Sequence, residues 1–379
     1  MTTKSSLGIY VHIPYCERKC LYCDFLSFPG YPRREEYLEA LKREIRLAGE
    51  KYAEGRYADS IFIGGGTPSI LSPEEAEGIL CETAESFDIR EDAEITMEVN
   101  PASLSLEKAR GYLEAGVNRL SIGVQSFDEG VLKTLGRLHD SAEAAAAFYA
   151  AREAGFRNIN LDLMFAVPGQ SHEAWMSSLR EAAYELKPEH ISFYSLQIEE
   201  GTPFYGMFLR GELKETGEAE DRRMYHDAIK LLGNSAYEHY EISNAAKRGF
   251  ECRHNLKYWS MEEYLGLGLG ASSFLGGMRL TNSPELGEYI EKTGKNILPL
   301  HSCHINSSYD MSSEYIFTGL RKRKGIDLSE FQAEYGEQLT NRDKVKYYVN
   351  TGQLVLKDGF LSLSEEAIDI SNGILADII

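Results

Sequence analysis

The sequence predicts an α/β fold: six parallel strands alternating with helices, rolled into a partly open (β/α)6 barrel, and followed by a smaller C-terminal helical, winged-helix-like module. Three observations lead there. Apolar runs of strand length alternate with helix-patterned stretches over residues 7–196. Glycines and polar residues collect directly after those runs. From about residue 312 the pattern changes to helices followed by two short strands joined at Asp358 and Gly359.

The first strand is residues 7–13, after which Pro29, Gly30 and Pro32 break the chain. Residues 33–52 form a helix, with Tyr37, Leu41, Ile45 and Ala48 at helical spacing. A strand at 60–63 runs into Gly64, Gly65, Gly66, Thr67 and Pro68, and Pro73 opens the next helix. Then come strand 94–99, helix 105–115 with Gly116 as its cap, strand 119–124, helix 142–154, strand 158–164, helix 174–185 and strand 190–196. Read as apolar throughout and linked by helices, such strands imply a parallel sheet covered on both faces. Six units fall short of an eightfold barrel, which leaves a partly open barrel, or a doubly wound open sheet as the alternative.

A helix is expected at 218–232, while the aromatic and glycine-rich stretch 240–271 has no clean periodicity. Helices at 314–321 and 328–335 precede a hairpin over 354–363, turned by Asp-Gly. The domain division that follows is a core at 1–238, a connecting segment at 239–305 and a small module at 306–379.

The chain of 379 residues has a formal net charge of −19. That balance excludes a protein that tracks nucleic-acid phosphates, which needs clustered Lys and Arg. No apolar run approaches the roughly 18 residues of a membrane span, and residues 1–6 lead into no apolar signal region. A cytoplasmic location is therefore expected, one that keeps thiols reduced. The dense basic run Arg321, Lys322, Arg323, Lys324 reads as a solvated helix end, or as a contact for an acidic partner or for lipid headgroups at a membrane periphery.

Chemistry concentrates in Cys16, Cys20 and Cys23, spaced C-x3-C-x2-C just after the first strand. Three thiolates in one loop suit a metal centre. His12 is the residue near enough to complete a Cys3His zinc site, whereas a [4Fe–4S] cluster on three cysteines leaves one iron open. The glycine loop 64–66 exposes backbone groups to a ligand or forms a tight turn, and it lacks the dinucleotide fingerprint. Glu98, Gln125, Arg137 and Asp162 follow strand ends, as helix caps and turn formers do. Together they supply carboxylates for an ammonium or ribose hydroxyls and a guanidinium for a carboxylate.

These stretches, with Tyr22 before the last cysteine, Glu98-Val99-Asn100-Pro101 and Gly123-Val124-Gln125-Ser126-Phe127, resemble the radical S-adenosylmethionine (SAM) superfamily, and within it the oxygen-independent coproporphyrinogen III oxidase group. The resemblance implies a [4Fe–4S] cluster on Cys16, Cys20 and Cys23. It implies a SAM site lined by Tyr10, Tyr22, Gly65, Gly66, Thr67, Glu98, Gln125, Arg137 and Asp162. The authentic oxidases look like C-x3-C-x2-C-x-C, but Phe25 stands at the fourth position here. The sequence His254-Asn255-Leu256-Lys257-Tyr258-Trp259 fits instead the HNxxYW motif of the HemW-type heme chaperone branch.

That branch implies heme as a further cofactor and cargo. His254 is its candidate iron ligand, Cys252 a second candidate, and Tyr258 and Trp259 are flat surfaces for the macrocycle. His12, His139 and His190 are read as structural. An acceptor protein for heme and a reductant such as a flavodoxin or ferredoxin are the implied partners. The rival expectation is an oxygen-independent coproporphyrinogen III dehydrogenase, which decarboxylates its substrate by radical SAM chemistry.

Overall fold

A computed structural model describes residues 4–379. Its main feature is a twelve-stranded sheet, at whose centre lie β1 (Ser5–Ile13), β2 (Arg56–Gly65), β3 (Ile89–Val99), β4 (Arg119–Gln125), β5 (Asn158–Phe165) and β6 (His190–Ser195). Each pairs in parallel with the next, in chain order. Helices Arg34–Tyr52, Pro73–Ser86, Leu106–Glu114, Ser141–Ala154 and His172–Arg180 make the crossovers. Ser72 and Asp140 start two of these helices through capping boxes with Glu75 and Glu143, satisfying end N–H groups that would otherwise lack partners.

The strands are not apolar throughout, as the sequence reading had them; they alternate. Ile61, Ile63, Met97, Leu120, Ile122, Ile159, Leu161 and Ile191 belong to the hydrophobic core. Between them, Ser60, Thr96, Ser121, Asn160 and Ser192 are equally buried but polar. With a side-chain period of two, these residues share the opposite face. Tyr10, Phe62, Glu98, Ser121, Asp162 and Tyr194, one from each of the six strands, line a single cavity of about 180 Å³. A flat sheet cannot bring its first and sixth strands to one small cavity, so the sheet is curled into a barrel with a polar lumen.

The stretch expected as a connecting segment carries the remaining six strands of this sheet. β7 (Glu238–Glu241) and β8 (Asn244–Ala246) extend it antiparallel beyond β6. β9 (Tyr264–Leu267) pairs in parallel with β1, and β10 (Ser272–Leu275), β11 (Met278–Asn282) and β12 (Leu300–Ile305) continue from it as an antiparallel meander. Periodicity missed them because β9 and β10 are four residues long and are joined by a glycine-rich turn. A Cβ on Gly266 would stand 2.2 Å from the Ser272 carbonyl oxygen, so close backbone approach decides that residue, not burial pattern.

Glu44, fully buried on helix Arg34–Tyr52, pins this half of the sheet. Its carboxyl accepts hydrogen bonds from the Gly268 amide (2.8 Å), the Asn282 side-chain amide (2.5 Å) and the Tyr289 hydroxyl (2.5 Å). Burial pushes its pKa up to about 7. The folded protein thus holds this proton more tightly than the unfolded chain, so the group favours folding below its unfolded pKa, near 4.3, and that contribution is lost as pH rises through 7. Glu44→Ala, which strands three donors, is expected to cost about 2–4 kcal/mol in urea unfolding at pH 6. The unmutated chain should also lose stability relative to Glu44→Gln between pH 5 and pH 8.

The C-terminal module packs helices Ser308–Gly319, Leu328–Tyr335, Asp343–Asn350 and Ser371–Ile378 with a small sheet of β13 (Ile326–Asp327), β14 (Leu354–Lys357) and β15 (Phe360–Leu363). Its hairpin turns at Asp358 and Gly359, both at positive φ (50° and 84°), as an Asp-Gly turn requires. The helix placed at 314–321 starts earlier, from a capping box of Ser307 and Asp310, and ends at Gly319. The basic run after it is not a solvated end. Arg321 lies over the Phe317 and Trp259 rings, and backbone hydrogen bonds join Ile242 to Arg321 and Arg323 to Tyr240. Lys324 alone of the four is exposed; the other three latch the module to the barrel.

Candidate functional site

The cysteine loop leaves β1 at the end of the barrel where the strands finish. It is held from two sides by backbone. The Gly66 and Thr67 amides donate to the Ile13 and Tyr15 carbonyls (2.8 Å each), and Thr67 Oγ1 donates to Cys16 Sγ (3.5 Å). Opposite, the Arg18 guanidinium donates to the Gly136 carbonyl (2.5 Å), and the Phe204 amide donates to the Leu21 carbonyl (3.0 Å). The glycines serve this contact: a Cβ on Gly66 would lie 2.7 Å from the Tyr15 oxygen and 3.0 Å from Cys16 Sγ. Gly65 takes φ 120°, and a Cβ there would strike the His12 ring at 2.7 Å.

Cys16, Cys20 and Cys23 are free thiols. Among the described residues no three His, Cys, Asp or Glu side chains converge on a single ion. His12 is committed elsewhere, with Nδ1 against the Tyr10 hydroxyl and Nε2 against the Leu26 carbonyl (2.9 Å each). A closed Cys3His zinc tetrahedron is therefore not built. Three thiols in one loop, with both His12 nitrogens engaged elsewhere, suit a cluster held by three cysteines with an open metal position.

Next to this loop the strand ends bring the other predicted residues together. Arg137 donates to Cys20 Sγ (3.5 Å) and to the Gly123 carbonyl (2.7 Å), while its Nε is buried without a partner among the described residues. Tyr22 packs against Phe204, with ring centroids 6.4 Å apart, and burial raises its pKa. Gln125 ends β4 at φ 65°, a left-handed conformation costly for a side chain of its size. Glu98 accepts from the Gly65 amide (3.0 Å); burial first, then the nearby Asp162, push its pKa up to about 8. Asp162 accepts from Ser121, Asn160 and Tyr194 at 2.8–3.2 Å, and burial raises it too. Tyr10, Glu98 and Asp162 share the lumen cavity.

His254 lies at the other end. Helix Arg253–Trp259 starts on Glu94, which accepts from the Arg253 and His254 amides (3.2 Å each), and it closes the floor of the barrel. The His254 ring is 1% exposed, with Nδ1 on the Ser60 hydroxyl (2.9 Å) and Nε2 on the Tyr258 hydroxyl (2.8 Å). Burial, aided by Lys257 and Arg119, lowers its pKa to about 3, so the ring is neutral. Gly8 on β1 makes room for it, since a Cβ there would lie 3.2 Å from the ring. His254, Asn255 and Tyr258 line the lumen, whereas Trp259 meets Arg321 of the C-terminal module. Cys252 is buried with Sγ 3.6 Å from Glu94, and burial pushes its thiol up to about 12.

The profile of the Radical SAM superfamily matches residues 10–182, and that of the HemN C-terminal domain matches residues 307–370. Heme chaperone HemW of Bacillus subtilis is 39% identical over 332 residues, covering 87% of each chain. The chain belongs to the HemW family. HemW of Lactococcus lactis is 36% identical over 91% of this chain and 92% of that one, and HemW of Escherichia coli is 42% identical over 70% and 69%. Coproporphyrinogen III oxidase (HemN) from Escherichia coli, a radical SAM enzyme, shares the fold, with a TM-score of 0.85 over all of this chain and 91% of that one at 22% identity.

In this HemW-family chain the sequence reading missed part of the lumen lining: Arg119, Ser121, Asn160, Ser192 and Tyr194. The signal was present as small polar or charged residues at alternate positions of each strand, such as Arg119, Ser121 and Gly123. His12, His139 and His190 each bond other groups of the fold, as expected of structural histidines.

Proposed function

We propose that this chain is a cytoplasmic heme chaperone, which binds heme and passes it to an acceptor protein, on a scaffold that holds a [4Fe–4S] cluster and SAM. The observation that carries this reading is the likeness to proteins named heme chaperones, which runs through barrel and C-terminal module alike. Cys16, Cys20 and Cys23 would hold the cluster. Arg137, with its buried Nε free, would take the SAM carboxylate, and Glu98 and Asp162 its ammonium or ribose hydroxyls. Tyr10, Tyr22, Gly65, Gly66, Thr67 and Gln125 would shape the site around them. A cluster and SAM supply electron transfer and radical formation when bound, with a flavodoxin- or ferredoxin-type reductant as electron source. Among the described residues no helix is long and apolar enough to cross a membrane. Contact at a membrane periphery has no support from the basic run, which is spent on the latch.

His254 stays the first candidate heme ligand, but in the observed state both its nitrogens are engaged. To bind iron it must give up the Tyr258 hydroxyl, and helix Arg253–Trp259 must leave the barrel floor. Heme titration followed by its absorption band, on the unmutated chain, His254→Ala and Cys252→Ala, tests this. His254→Ala should weaken binding about ten- to hundredfold, on the order of 1–3 kcal/mol. An unaltered titration in His254→Ala moves the ligand elsewhere. CO2 release from coproporphyrinogen without saturable heme binding would replace the chaperone with the oxidase.

A further inference from the structure

Arg119 begins β4 and is 1% exposed. Its guanidinium borders the lumen cavity together with Ser121, Asn160, Ser192 and Tyr194, and its Nε is buried with no hydrogen-bond partner among the described residues. The acidic groups that act on it through space, Glu94 and Asp162, form no ion pair with it among the described residues. Glu94 is taken up by the Arg253 and His254 amides and the Cys252 thiol, and Asp162 by Ser121, Asn160 and Tyr194. A buried guanidinium without a bonded counter-charge is costly by itself, and one that faces a polar cavity is a site for an anion.

The cavity measures about 180 Å³, room for about six waters. It is smaller than the roughly 300 Å³ at which pockets begin to enclose drug-sized ligands, so it admits a short chain and not a macrocycle. Guanidinium geometry favours a carboxylate, taken two-pronged.

We propose that the Arg119 end of the barrel lumen is a carboxylate pocket in which Arg119 pairs with the carboxylate of a short alkyl arm. Two sources present that chemistry: a free short-chain monocarboxylate, or a propionate arm of the tetrapyrrole cargo, the second resting on the heme reading above. In either case Arg119 anchors a charge and the cavity sets the arm's length.

The test is titration of cluster-loaded protein with sodium propionate, read by carbon-13 line broadening of carboxyl-labelled propionate against a sodium chloride control. Saturable binding is expected, at least about tenfold weaker in Arg119→Gln and less weakened in Arg119→Lys, which keeps a single-point charge. Phe62→Trp, which enlarges a side chain lining the cavity two strands from Arg119 and leaves Arg119 in place, should also abolish binding and covers the case in which Arg119→Gln does not fold. No saturable binding to the unmutated chain, or equal binding in the variants, overturns the pocket. Heme and its dimethyl ester then separate the sources. An ester that binds about tenfold more weakly than heme in the unmutated chain, but equally in Arg119→Gln, assigns the arm to the cargo. Equal binding of the two in the unmutated chain assigns it to a free acid. Propionate binding without heme binding leaves the pocket standing and removes the heme reading alone.

Discussion

Cys20→Ser protein purified without air is expected to retain less than about a tenth of the iron and sulfide of the unmutated chain, because a serine hydroxyl does not replace a thiolate as a cluster ligand. No neighbour compensates. The position two residues beyond Cys23 is Phe25, 63% exposed, and both nitrogens of His12 are in use. Gly66→Ala should lower cluster content as well without touching a ligand, since its Cβ would press on the Tyr15 carbonyl and Cys16 Sγ. For that reason substitution at Gly66 is a poor probe of SAM binding alone. Iron and sulfide analysis beside a thermal melt is the measurement. Full cluster content in Cys20→Ser, or stoichiometric zinc without sulfide in the unmutated chain, would remove the assignment.

Glu98→Gln should weaken SAM binding about ten- to hundredfold, the range for losing a charged hydrogen bond of about 1.5–3 kcal/mol. Glutamine keeps the bond from the Gly65 amide, so the loop should stay in place. With the Glu98 pKa pushed up to about 8, the carboxyl is mostly protonated at pH 7. A ligand that needs it ionised must displace that proton, so affinity should climb from pH 6 to pH 8 by up to about tenfold per unit and then level off. SAM's own titration affects both proteins, and the difference between their pH profiles isolates Glu98. Equilibrium binding on cluster-loaded protein from pH 6 to pH 9 measures it. Parallel profiles would take Glu98 out of the SAM site.

The residues legible in advance are those whose placement depends on short chain separation. Cys16, Cys20 and Cys23 sit within one loop, so their spacing alone confines three thiols to one place. Glu98, Gln125 and Asp162 follow or close strands of a parallel sheet, and in such a sheet all strands finish at one edge, so order in the chain becomes proximity in space. The Asp358-Gly359 hairpin was legible for a like reason: positive φ at two adjacent positions is a local demand with few solutions.

The rest depended on contacts that no local pattern encodes. Phe62, read as part of an apolar strand, and Arg119, not singled out, became lumen residues because the sheet curls, and curl is a property of all six strands together. Gly266 was uninterpretable until Ser272 was seen against it. His254 lies 194 positions from Ser60 in sequence, and that hydrogen bond, with the one to Tyr258, turns an apparently available imidazole into a buried, neutral part of the barrel floor. Sequence by itself carried the resemblance to the family, and it determined the six-unit α/β core and where the cysteine loop and the strand-end residues lie along it, because covalent spacing and strand polarity constrain those positions directly. Tertiary structure alone decided that residues 239–305 complete the sheet, that the basic run is a latch, and that Arg119 faces an enclosed space. Burial and the loss of hydrogen-bond partners arise only when distant segments exclude water together.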